Sequence, residues 1–182
     1  MPLNGLVKIT PTSVTVTGTS ASIGSGGQVT FTAMTELHIN GVFSSSYDNY
    51  LVVCRHANSI TSGLFGRLRN SGTTATTNYR TQNSWAAATG LQAGNTNTGT
   101  SGTCLFGNYN YATSRSGFNA YIFNPFASTA TVCRLLGQSE ASSASLYEFS
   151  GSHSSASSYD SLTLITDGGN STGTITVYGF NK

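Results

Sequence analysis

Apolar and polar positions alternate in short runs along most of the chain. Thr12–Thr17 alternates around Val14 and Val16, Gln28–Ala33 around Val29 and Phe31, and Glu36–Asn40 around Leu37 and Ile39. A period of two is the signature of strands with one buried face. Tyr50–Ala57 breaks that rule in an informative way. Leu51 and Val53 are apolar on one face, Val52 and Cys54 on the other, so this strand belongs at the centre of a sheet or at an oligomer interface. Gly63–Asn70 sets Leu64, Gly66 and Leu68 against Phe65, Arg67 and Arg69. Further strands are expected at Asn78–Thr81, Gly102–Gly107, Gly117–Asn124, Ala130–Gln138, Ser145–Ser150, Tyr159–Thr166 and Thr174–Phe180. Turn signals separate them: Gly24-Ser25-Gly26-Gly27, Asn40-Gly41, Ser71-Gly72, Asn124-Pro125 and Asp167-Gly168-Gly169-Asn170. About ten strands with almost no helix predict an all-β fold, an antiparallel, jelly-roll-like β-sandwich.

Two stretches depart from the pattern. Residues 1–25 are thin in apolar side chains and read as an N-terminal arm or edge strand, docking either on a neighbouring subunit or within its own; residues 26–182 form the sandwich domain. Gln82–Ser101 holds Trp85-Ala86-Ala87-Ala88, the only helix-favouring window, followed by a Gly/Asn/Thr run. It reads as a long loop, functional or lidding one end of the sandwich. Gly151–Ser158 is a Ser-rich connector. The tetrapeptide Ser-Ser-Tyr-Asp occurs twice, at 45–48 and 157–160, each time before an apolar strand. The Asp and Ser side chains suit turn amides and the tyrosines suit packing across a strand end. Tyr47, Asp48, Tyr159 and Asp160 are therefore expected to be structural turn residues.

Composition narrows the function. Only 8% of the 182 residues are charged, against 37% apolar, and the net charge is +2. With two lysines and no basic cluster, the chain lacks the cations that bind a phosphate backbone, so nucleic acid is not an expected partner. No run is long enough to span a membrane, and Met1–Gly5 lacks a signal-peptide pattern, which points to folding in a cytoplasm. Cys54, Cys104 and Cys133 are odd in number and lack CxxC spacing, so they read as buried thiols. His38, His56 and His153 show no metal-ligand spacing, and no metal or cofactor is expected. Acid–base catalysis needs placed carboxylates. Asp48 and Asp160 are already accounted for by turns, and no G-x-S-x-G motif is present. The chain therefore does not read as an enzyme, and no catalytic residue is assigned.

The segments YDNYLVV (47–53), LFGRLRNSG (64–72), YIFNPF (121–126), SSYDSLTLI (157–165) and GTITVYGFNK (173–182) resemble a group of tailed-bacteriophage virion structural proteins. These are small β-sandwich modules of capsid decorations, fibres and tail appendages. The resemblance runs from about Val29 to Lys182 and implies a homotrimer, assembled in the host cytoplasm and carried on the virion, with itself and other virion proteins as partners. The alternative is a receptor-binding module that attaches to a host-surface glycan. For that role the candidates are Trp85 in one long loop, and Tyr109, Tyr111 and Arg115 in another. Aromatic rings there stack on sugar C–H faces, or else pack in a core or subunit interface.

Overall fold

The computed structural model describes residues 5–87, 90–95, 104–110, 112–140 and 145–182. Over these residues the chain forms sixteen strands and no helix. In order they are β1 (Leu6–Ile9), β2 (Ser13–Thr17), β3 (Ser20–Ile23), β4 (Val29–Met34), β5 (Glu36–Asn40), β6 (Asn49–Asn58), β7 (Ser62–Asn70) and β8 (Thr73–Thr74). There follow β9 (Tyr79–Ala87), β10 (Gly90–Asn95), β11 (Phe106–Asn110), β12 (Arg115–Phe123), β13 (Thr131–Ser139), β14 (Ser145–His153), β15 (Ser161–Thr166) and β16 (Ser171–Phe180). All pairings are antiparallel. A ten-stranded sheet runs β10-β9-β14-β13-β12-β6-β16-β4-β3, with β1 added to β16; a six-stranded sheet runs β11-β7-β15-β5-β2, with β8 added to β7. The antiparallel β-sandwich expected from the alternation is the fold found. Its strands outnumber the expected ten or so because β1, β3, β8 and β10 are too short or too polar to show a period of two.

The centre of the large sheet is β6. It pairs with β12 from Arg115↔Ala57 to Phe123↔Asn49, and with β16 from Ser171↔Asn58 to Gly179↔Tyr50. Tyr50, Val52, Cys54 and His56 point inward and are buried; Leu51 and Val53 point outward. The opposite wall of the core comes from Leu64 and Leu68 of β7, Leu162 and Leu164 of β15, and Leu37 and Ile39 of β5, all fully buried. Two glycines leave room for close contacts. Within the small sheet the Phe106 ring lies over Gly66 of its neighbouring strand, and between the sheets the Leu105 carbonyl rests on Gly151 of β14. Phe106 then meets Phe118 across the core, with ring centroids 5.6 Å apart.

Residues 5–25 pair with strands of their own chain. β1 lies along Val177–Phe180 of β16, β2 edges the small sheet against β5, and β3 turns through Gly24–Gln28 into β4. The described part of the segment thus supplies edge strands to both sheets of its own subunit. The stretch expected as a long loop also departs from expectation: Gln82–Ala87 pairs with Gly90–Asn95 as β9 and β10, and residues 96–101 lie outside the described residues. Helix propensity in Trp85-Ala86-Ala87 is a weak prior. It yields because β9 finds backbone partners on both sides, β14 and β10.

Gly151→Ala tests the close approach of the sheets. The added methyl would collide with the Leu105 backbone, which cannot rotate away. Overpacking at a site this tight is expected to lower the unfolding free energy by about 3 kcal/mol, read as a fall in the urea midpoint at unchanged slope.

Candidate functional site

The residues expected to act at turns divide into different roles. The Asp48 carboxylate does not cap its own turn; it pairs with Lys182 Nζ at 2.9 Å, and Ser44 Oγ accepts the Ser46 amide instead. Tyr47 is half-buried with its ring over Gly179 and edge-on to Tyr50. The Tyr50 hydroxyl donates to the Ser44 carbonyl and accepts the Ser44 amide, both at 2.8 Å. Asp160 accepts from the Ser161 hydroxyl at 2.6 Å and the Ser71 amide at 3.4 Å, so it ties down the β7–β8 turn as well as its own. Tyr159 is buried edge-on to His153. The two Ser-Ser-Tyr-Asp segments flank one turn: Asn124 N–H donates to the Asp48 carbonyl, and Tyr159 N–H to the Pro125 carbonyl.

The aromatic candidates do not form one loop cluster. Trp85 is half-buried in β9, opposite Tyr147 of β14. Tyr109 lies in β11 of the other sheet, edge-on to Phe65 at 5.5 Å. Both were expected in loops; strand pairing places them in the sheets. Tyr111 lies outside the described residues. Arg115 is exposed on the outer face of β12, and it is the candidate that the fold brings into a concave site.

That site is a hollow of about 730 Å³ in the outer face of the large sheet. Strand register explains it. Across β6, β12 and β13, Val53, Asn119 and Leu136 form one outward row, and Arg55, Gly117 and Gln138 the next. Leu146 of β14 extends the second row. Gly117 leaves a gap in the carpet of side chains. A Cβ there would meet only the Cys54 carbonyl, at 3.3 Å. Arg55 lies across from Gly117 on β6, Arg115 lies two residues before it, and Glu140 completes the lining. Sequence reasoning missed Arg55, Gly117, Asn119 and Gln138, because alternation shows that they face outward but not which of them are neighbours.

Beneath this face runs a buried polar seam. His56 Nδ1 lies 3.1 Å from Asn58 Oδ1, and Asn108 Nδ2 lies 3.3 Å from His56 Nε2. Those partners require Nδ1 to donate and Nε2 to accept, which is the neutral imidazole. Asn108 also donates to Ser116 Oγ at 2.7 Å, and Ser116 to the Gln138 carbonyl at 2.7 Å. Ser139 Oγ donates to Asn110 Oδ1 at 2.8 Å. The seam joins β11 of the small sheet to β6, β12 and β13 of the large one. Burial holds the His56 pKa down to about 4. Burial also lowers His38, where Arg69 adds to the effect, and His153. The three cysteines are buried and free, and burial pushes the Cys104 thiol up to about 12. Among the described residues no group of three or more His, Cys, Asp or Glu is placed to hold a metal ion.

Comparison with protein-family models and with curated proteins returns no match. Among solved structures, the chain is similar to a protein of unknown function from Shewanella oneidensis MR-1, at 8% identity and a TM-score of 0.30, covering 97% of this chain and 79% of that one. It is also similar to a Lotus tetragonolobus seed lectin, at 8% identity and a TM-score of 0.28, covering 91% and 93%. Likenesses this distant carry no argument; the sandwich stands on its own strand pairing.

The seam makes stability depend on pH. Unfolded, the His56 imidazole takes up a proton near pH 6.5; folded, it does so only near pH 4. Between these values the unfolded state binds more protons, so stability is full above about 6.5 and falls by about 3 kcal/mol as pH drops to about 4. The lowered pKa values of His38 and His153 act with the same sign. Urea midpoints are expected to fall steadily over this range, with a shallower slope in His56→Gln; a flat wild-type profile would contradict a buried neutral imidazole.

Proposed function

We propose that this chain is a non-enzymatic structural subunit of the surface of a tailed-bacteriophage particle. It is a capsid decoration or a fibre or tail appendage, and it assembles with copies of itself. The observation that carries the reading is the end of the outer face away from the hollow. There Leu6, Tyr121, Phe123 and Val132 stand out from β1, β12 and β13, each 36% or more exposed. Tyr121 stacks with Phe180 at 6.2 Å over this face. A contiguous exposed apolar patch on a domain otherwise coated in hydroxyls and amides marks a protein contact. The resemblance to virion proteins supplies the setting, and a homotrimer is the stoichiometry it implies.

The carboxylates support a role without catalysis. Asp48 pairs with Lys182, Glu148 with Arg134, and Glu36 faces His38; Asp160 and Asp167 accept backbone amides. Among the described residues only Glu140 has a carboxylate without a hydrogen-bond or ion-pair partner. A second reading, a receptor module for a host glycan, draws on a different observation: Arg115 lines a hollow on the same sheet.

Mass measurement in solution tests assembly. Wild type is expected to sediment as a trimer and to bind phage heads or tails. Tyr121→Glu combined with Phe123→Glu should leave a folded monomer, because both side chains point outward from paired strands. A wild-type protein that stays monomeric and binds no particle overturns the reading.

A further inference from the structure

We propose that the hollow floored by Gly117 binds a carboxylate-bearing saccharide, with Arg55 and Arg115 holding the carboxylate. The inference rests on the second reading above and names the ligand class that reading would take.

The charge distribution carries it furthest. The whole chain has eight Lys and Arg. Arg134 is spent on Glu148 at 2.8 Å, Lys182 on Asp48 at 2.9 Å, and Arg69 bonds Thr74 at 2.9 Å. Arg55 and Arg115 have no ion pair among the described residues, yet they face one hollow from adjacent strands. The guanidinium fork matches a carboxylate bidentately. Two uncommitted forks beside a gap in the side-chain carpet offer paired donors to an anion.

The rest of the lining sets the ligand's body. Val53, Leu136 and Leu146 present aliphatic surface, with Leu136 at 41% and Leu146 at 56% exposure. Asn119 and Gln138 present amides that donate and accept, and the Glu140 carboxylate accepts. A ring with apolar C–H faces and a rim of hydroxyls meets both kinds of surface. The volume of about 730 Å³ falls within the usual span for small-ligand sites.

Two other anionic classes fit less well. A nucleic acid tracks a row of cations, and here there are two. An acidic peptide gains most by adding to a strand edge. Gly117 lies in mid-sheet, its strand already paired with β6 and β13, so no backbone ladder is on offer. Recognition here is by side chains alone.

The test is calorimetric titration with four probes: a sialylated trisaccharide, a hexuronate trisaccharide, and the methyl ester of each. Arg55→Gln, Arg115→Gln and Gly117→Val are compared with wild type. All three positions face outward, and Gly117→Val fills the hollow from its floor. At least one acidic sugar is expected to bind, more weakly at high salt. Its ester and each arginine variant should bind about tenfold or more weakly, the value of one charge-assisted hydrogen bond, and Gly117→Val should abolish binding. Equal binding of acid and ester overturns this inference while leaving the glycan-receptor reading intact. Acid binding that survives all three substitutions overturns the location. No binding to any probe overturns the inference and the receptor reading together, with the structural-subunit reading untouched.

Discussion

Backbone hydrogen bonding around β6 is the constraint from which the rest of this structure follows. A strand buried on its inner face cannot leave amides unpaired, and β6 satisfies both of its edges with strands distant in sequence. One partner is β12. The other is β16, the end of the described chain, whose far edge then receives β4 and β1. The first and last strands of the described chain therefore close together beside its centre. Such long-range pairing gives a high contact order, which slows folding.

The same arrangement explains why a chain so poor in charge can hold two sheets together. Aliphatic and aromatic residues fill most of the space between them, but Asn58, Asn108 and Ser116 are linked through His56 in one buried seam, and Asn110 and Ser139 pair beside it. Buried amides are costly unless bonded, so the seam works only in one registry of β11 against β12 and β13. It adds specificity to a core that greasy contacts alone would leave free to slide. His56 bridges Asn58 and Asn108 within it, in the tautomer that these neighbouring amides require.

Outward positions follow from the same pleat. Because β6, β12 and β13 are in fixed register, Arg55, Gly117 and Gln138 fall in one row, and Tyr121 lies two rows away. One sheet face thus carries an arginine-flanked hollow at one end and an apolar, aromatic patch at the other. A glycine in the middle of a strand, with no side chain to pack, is what opens the hollow.

The sequence by itself determined the all-β class, most strand positions, the central place of Tyr50–Ala57 and the burial of the three cysteines. These depend on local alternation and on residue type, which a linear chain displays directly. It also marked Ser-Ser-Tyr-Asp as a paired device, though not that both copies clasp the Asn124–Pro125 turn from either side. Tertiary structure alone decided that residues 5–25 edge both sheets, that Trp85 and Tyr109 lie in strands of different sheets, and that Asp48 serves Lys182. It alone placed Arg55 beside Arg115. Alternation states which way a side chain points, but neighbours across a sheet are set by register, and register is fixed only when distant strands meet.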